Sequence, residues 1–230
     1  MHDSTLRLIQ DPGNMQRIFE ANLTKLPSYA AARLQKRITS FLQEDNEQTF
    51  RVSLERLVSH PYSDLTSGFK EYDLDKLENM ILYLVKRLNG EFITKLNKIL
   101  WYCDFLHFKE SSVSITGAQY VHLQYGPVPN GYDFVTDMMQ RERLLDKKEI
   151  VFNTREDVLG EKLTALVEPD ESMFSEKEIQ VMNFVTDTFR NYTATSIKNK
   201  SHQEIAYTRT EDGEIISYEY AKELSLSLPE

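Results

Sequence analysis

Cys103, Asp104 and His107 lie within five residues of one another, and Ser201, His202 and Glu204 lie within four. A thiol or hydroxyl, an imidazole and a carboxylate are the parts of an activated nucleophile, its base and an orienting acid. Position argues against both sets. Cys103 falls on an apolar helical stripe one turn before His107, where a lone cysteine is a small buried hydrophobe rather than a thiolate. Ser201-His202-x-Glu204 reads as a helix-end cap in which Ser201 or His202 satisfies orphan backbone groups. His107 and His122 lack the H-x-x-x-H or H-E-x-x-H spacing of a metal site, so none is expected. Gly126-Pro127-Val128-Pro129 does not suit phosphate, because a cradle needs consecutive N–H donors and two prolines remove two of them. It reads as a rigid corner. No convergent set of acid, base and nucleophile emerges, so the expectation is a non-enzymatic protein without a cofactor.

The elements that hold these residues follow from periodicity. Over residues 92–108 the apolar positions Phe92, Ile93, Leu96, Ile99, Leu100, Cys103, Leu106 and His107 recur at three and four, which predicts a buried amphipathic helix. Trp101 and Phe105 share a face and are assigned to core. Lys95, Lys98, Tyr102 and Asp104 fall around the other edge and are assigned to the surface. After Ser111-Ser112 the period becomes two through Ile115, Tyr120, Leu123 and Tyr125. Gly117 interrupts this run and Gly126-Pro127 stops it. Gly117 and Gly126 are read as supplying backbone conformations closed to other residues.

Upstream, a helical series is expected over residues 1–60, a linker rich in Pro, Ser, Gly and Asp over 60–72, and a helix over 73–88 stopped by Asn89-Gly90. A boundary near residue 70 gives an accessory segment, 1–70, and a main domain, 71–230. Downstream, a helix over 134–141 precedes strands over 144–153 and 162–168, separated by a charged turn over 154–160. With residues 119–125 these make a small antiparallel sheet of about three strands. Ser175 and Glu178 form a capping box that starts a helix to about residue 190. Short helices near 195–200 and 217–224 complete an α+β fold that is predominantly helical.

Composition narrows the function. At 230 residues, 40% hydrophobic and 27% charged, the chain is globular, and its formal charge of −9 disfavours a broad nucleic-acid surface and suits a cationic partner. One cysteine excludes an internal disulfide and fits a reducing cytoplasm. The longest apolar run, residues 80–85, is far too short for a bilayer.

The stretches K-L-N-K-I-L-W-Y-C-D-F-L-H-F from Lys95, S-I-T-G-A-Q-Y from Ser114 and Y-G-P-V-P from Tyr125 resemble the Panacea domain, the SocA-type antitoxin domain also known as phage-associated GepA-like. F-S-E-K-E-I-Q-V-M-N-F-V from Phe174 and S-H-Q-E-I-A-Y from Ser201 resemble the family's closing helices. The likeness therefore spans residues 75–225, with Tyr207 standing where many relatives carry tryptophan. The resemblance implies a cytoplasmic prokaryotic antitoxin of a toxin–antitoxin system, one that neutralises a cognate protein toxin by direct binding. A related variant is an adaptor that delivers the toxin to a cytosolic protease. Relatives often place a helix-turn-helix module ahead of such a segment. Residues 1–60 do not match one, so the chain is expected to be a fragment or a headless version, and DNA binding is not carried over. An upstream module would make it a transcriptional autoregulator.

Partner-binding residues implied by the family motif and its aromatic cluster are Lys95, Lys98, Trp101, Tyr102, Asp104, Tyr125, His202 and Glu204. Ser201 to Glu204 thereby gain a second reading as a polar contact inside the interaction surface. Gly117, Tyr120, Gly126, Pro127 and Val128 are the structural part of the motif. No membrane and no direct nucleic-acid partner is expected.

Overall fold

A computed structural model describes residues 51–53, 55, 62–153 and 158–229. The helical series expected over residues 1–60 lies outside these, apart from helical residues 51–53 and 55. The fold below belongs to the compact unit Leu54–Glu230.

Helix α1 (Leu74–Arg87) begins where the Asp73 carboxylate accepts from the Lys76 N–H at 2.9 Å. It ends at the expected Asn89-Gly90 stop. Both residues have positive φ, and the Gly90 N–H donates to the Val85 carbonyl at 2.9 Å. The two-residue strand β1 (Glu91–Phe92) leads into α2 (Ile93–Ser111), which closes on a left-handed Ser112. A hairpin follows, β2 (Tyr120–Leu123) with β3 (Gly126–Pro129), then α3 (Tyr132–Arg141) and the pair β4 (Leu145–Asn153) and β5 (Val158–Ala165). After a 3-10 turn (Glu171–Met173) come α4 (Glu176–Phe189), α5 (Ala194–Ser201), the short α6 (Ile205–Thr208) and a second 3-10 turn (Tyr218–Glu223). The Ser175–Glu178 capping box is present in full, with reciprocal bonds of 3.3 and 2.8 Å.

The fold is α+β, as expected, but its strands are distributed differently. The three-stranded antiparallel sheet has the order β1-β5-β4, with Glu91 opposite Leu163. Its third member is thus a dipeptide ahead of α2 rather than residues 119–125. Those residues pair instead with Gly126–Pro129, the expected corner, which is a strand. The Tyr120 and His122 backbones face residues 214–216: the His122 N–H donates to the Glu214 carbonyl, and Tyr120 accepts from the Ile216 N–H. Pro129 and Pro127, opposite Tyr120 and His122, therefore occupy positions where β2 asks for no N–H, and proline is tolerated.

Helix α2 is the axis of the core. It packs against α1, α4, α5, β1, β3, β5 and the second 3-10 turn. Because neighbours surround it, Lys95, Lys98, Tyr102 and Asp104 are buried, which corrects their assignment to the surface. The second half of the segment expected as a linker is likewise bound into the fold. Ser114 donates its N–H to the Gly68 carbonyl and its hydroxyl to the Ser67 carbonyl, and the Tyr218 N–H reaches the Leu65 carbonyl at 2.8 Å.

Candidate functional site

Asp104, fully buried at the centre of α2, organises the loop that follows the helix. Its Oδ1 accepts from the N–H groups of Ile115 (2.7 Å) and Thr116 (3.0 Å), and its Oδ2 from the hydroxyls of Thr116 (2.6 Å) and Tyr120 (2.8 Å). Burial pushes the carboxyl pKa up, and these hydrogen bonds pull against that. The loop it fixes contains Gly117, at φ 74°, where a Cβ would lie 2.3 Å from the Glu71 carbonyl oxygen. Tyr120 in turn meets Phe105 and Tyr218, and Tyr218 stacks on Phe105 at 4.3 Å and donates to the Ala118 carbonyl. The motif residues Asp104, Gly117 and Tyr120 are thus parts of one frame.

The remaining residues expected at an interface separate by depth. Lys95 pairs with Glu91 at 2.7 Å and donates to the Arg190 carbonyl, tying α2 to β1 and the end of α4. Trp101 is buried against Tyr102 and Phe105, and its Nε1 has no hydrogen-bond partner among the described residues. Tyr102 donates to Glu204 at 3.0 Å. Glu204 also accepts from the N–H and hydroxyl of Ser225 and pairs with Lys200 at 3.5 Å. Burial, and then the Glu204 carboxylate, push the Tyr102 phenol up. Cys103 is buried, and burial raises its thiol well above the ordinary range, away from the reactive thiolate. The Ser201 hydroxyl donates back to the Lys198 carbonyl at 2.9 Å, and Glu204 stands at the N-cap of α6 without a side-chain capping bond.

Where the hairpin turn meets α5 and α6, a different arrangement appears. His122 from β2 and His202 at the end of α5 lie against Tyr207 of α6, with ring centroids 3.6 and 4.2 Å away. The Tyr207 hydroxyl donates to the Leu123 carbonyl at 2.9 Å. Lys198 lies 5.2 Å above the ring of Tyr125, which is 59% exposed. Gly126 keeps room for Lys98, since a Cβ there would come within 2.7 Å of the Lys98 Cε and 2.8 Å of the Ser201 Oγ. Lys98 is 1% exposed and, among the described residues, has neither an ion pair nor a hydrogen bond. Burial and then the charge of Lys198 bring its pKa down to about 7. His202 is also lowered, first by burial and then by Lys198, Lys98 and His122. His122 Nδ1 and His202 Nε2 are covered and without partners among the described residues.

Residues 96–206 match the family model described as antitoxin SocA-like, Panacea domain. Over this span the chain is similar to a Panacea domain. No curated protein and no solved structure matches the chain. The matched span runs from the first turn of α2 into α6, so it holds Asp104 with its four donors, the hairpin and all of the basic corner but Tyr207. Helix α1, β1 and the second 3-10 turn lie outside it yet close its core, through residues such as Leu77, Leu84, Tyr218 and Ala221.

The basic corner joins Lys98, Tyr125 and His202, expected at an interface, to Lys198, His122 and Tyr207, of which the sequence singles out His122 as a candidate base or metal ligand and Tyr207 as a departure from the family pattern. The available signal was Lys198 one helical turn before His202. Pairing with residues far away in sequence made it unreadable without the fold. Among the described residues no group of three His, Cys, Asp or Glu side chains is placed to hold a metal, and no helix is long and apolar enough to cross a membrane.

Proposed function

We propose that this protein is the antitoxin of a toxin–antitoxin pair and that it neutralises a cognate protein toxin in the cytoplasm by direct binding, without catalysis. The observation that carries this reading is the match of residues 96–206 to the SocA-like Panacea antitoxin family. Two physical features favour a protein partner. The net charge of −9 suits a basic toxin face of the kind that would otherwise engage RNA or a nucleotide. Leu123 at the end of β2, Tyr125 in the hairpin turn and Ile215, bridged to Val121, are exposed and give a small apolar patch with an aromatic anchor. In this reading Tyr125 and His202 touch the toxin. Lys95, Trp101, Tyr102, Asp104 and Glu204 act by holding the frame beneath them.

The test is expression of the neighbouring gene alone and then together with this chain. Toxicity, rescue of growth and co-elution of a stoichiometric complex support sequestration, and Tyr125→Ala should weaken the complex at least tenfold while the chain stays folded. A neighbour that is harmless alone sinks the reading. Rescue without a complex that disappears when cytosolic proteases are deleted assigns the adaptor mechanism instead.

A further inference from the structure

Four cationic side chains converge at the corner between the hairpin, α2 and α5 of this acidic chain. Lys98 and Lys198 make no ion pair among the described residues, and the charges acting on Lys98 and His202 are all positive: Lys198 on the first, and Lys198, Lys98 and His122 on the second. Two acidic groups border the corner. Glu204 is held by Tyr102, Ser225 and Lys200, and Asp212 acts on the Tyr207 phenol. Two imidazole nitrogens are covered and unsatisfied there. Holding buried Lys98 beside half-buried basic side chains destabilises the fold, and an anion supplied from outside would offset that penalty.

We propose that Lys98, Lys198, His122 and His202 bind the phosphate group of a small soluble ligand. A dianion matches several convergent cations better than a carboxylate does, and lysines contact phosphate as point charges without a preset fork. A small ligand fits better than a polyanion. Lys98 is reached only by a terminal group, and the overall charge of −9 repels a nucleic acid. Lys198, half-buried above exposed Tyr125, stands at the solvent edge, and Gly126 lies close against Lys98 and Ser201. The site shares His202 and its Tyr125 edge with the toxin reading, but it is argued from other observations and its test needs no toxin.

The test uses the full chain, freed of phosphate, and follows the imidazole Cε1–H signals of His122 and His202 by NMR. Inorganic phosphate, pyrophosphate and nucleoside triphosphates are titrated at pH 7 and fixed ionic strength. Saturable shifts are expected, with dissociation constants below about 1 mM. Lys198→Ala and Lys98→Met should each weaken binding tenfold or more, whereas the remote Lys222→Ala should leave it unchanged. At pH 9, with Lys98 neutral, the affinity should fall. Tighter binding of nucleotides than of pyrophosphate assigns a base-bearing ligand, and equal binding assigns a simple phosphate. Non-saturable shifts, the same shifts with chloride, or full binding by a folded Lys198→Ala variant would overturn the site.

Discussion

Asp104 and Lys98 lie six residues apart on one helix, and the sequence places both on its polar edge. The structure gives them opposite circumstances. Asp104 satisfies four donors, so it is buried without being orphaned. Asp104→Asn puts an amide N–H₂ against donors and should destabilise the fold by about 3 kcal/mol in urea denaturation; an unchanged midpoint would show that the loop after α2 does not depend on it. Lys98 has no such partners, and its pKa is about 7 in the fold against 10.5 ordinarily. Between those values the unfolded chain holds a proton that the folded chain has released, so stability rises as pH climbs from about 7 toward 10.5. Lys98→Met should raise the melting temperature at pH 7 and remove that rise, a difference on the order of a few kcal/mol across the window. Parallel stability–pH curves for the variant and the parent would refute the assignment. Neither circumstance is legible in helical spacing, which shows a side chain's direction but not what waits there.

At the scale of elements, legibility followed the locality of the signal. The Asn89-Gly90 stop and the Ser175–Glu178 box are written within a few residues, and both stand where the sequence puts them. Helix α2 was legible as a helix, though only surrounding elements reveal that it is buried on every side. The β3 strand was illegible because its two prolines read as terminators; they are tolerated only because β2 bonds residues 214–216 through Tyr120 and His122. The glycines offer a direct contrast. Gly117→Ala, with a Cβ driven to 2.3 Å from a backbone oxygen, should leave little folded protein in a proteolysis assay. Gly213→Ala, at φ 83° with nothing within 4 Å, should cost about 1 kcal/mol and remain functional. Equal tolerance at both positions would contradict the close approach of Glu71 to the loop.

For the whole molecule, charge is the property most directly tied to partner choice. If the acidic surface steers a basic toxin, the association rate should fall steeply between low and high salt while the dissociation rate changes little. Stopped-flow mixing at several ionic strengths reads this, and a flat association rate would remove electrostatics from the account. The α+β class and the family motif were legible because they rest on a long helix and on residue patterns. The basic corner was not, since β2, α2, α5 and α6 contribute one or two residues each.

The side-chain bonds that seal the core join partners about a hundred positions apart: Lys76 to Glu178 and Tyr102 to Glu204 each span 102 residues, and Tyr83 to Asn183 spans 100. Contacts so distant in sequence carry a large loop-closure entropy and slow the folding of a chain this size. During synthesis, α1 and α2 therefore emerge long before the residues that cover them. The apolar axis of the domain spends that interval without the elements of residues 174–225 that cover it in the fold.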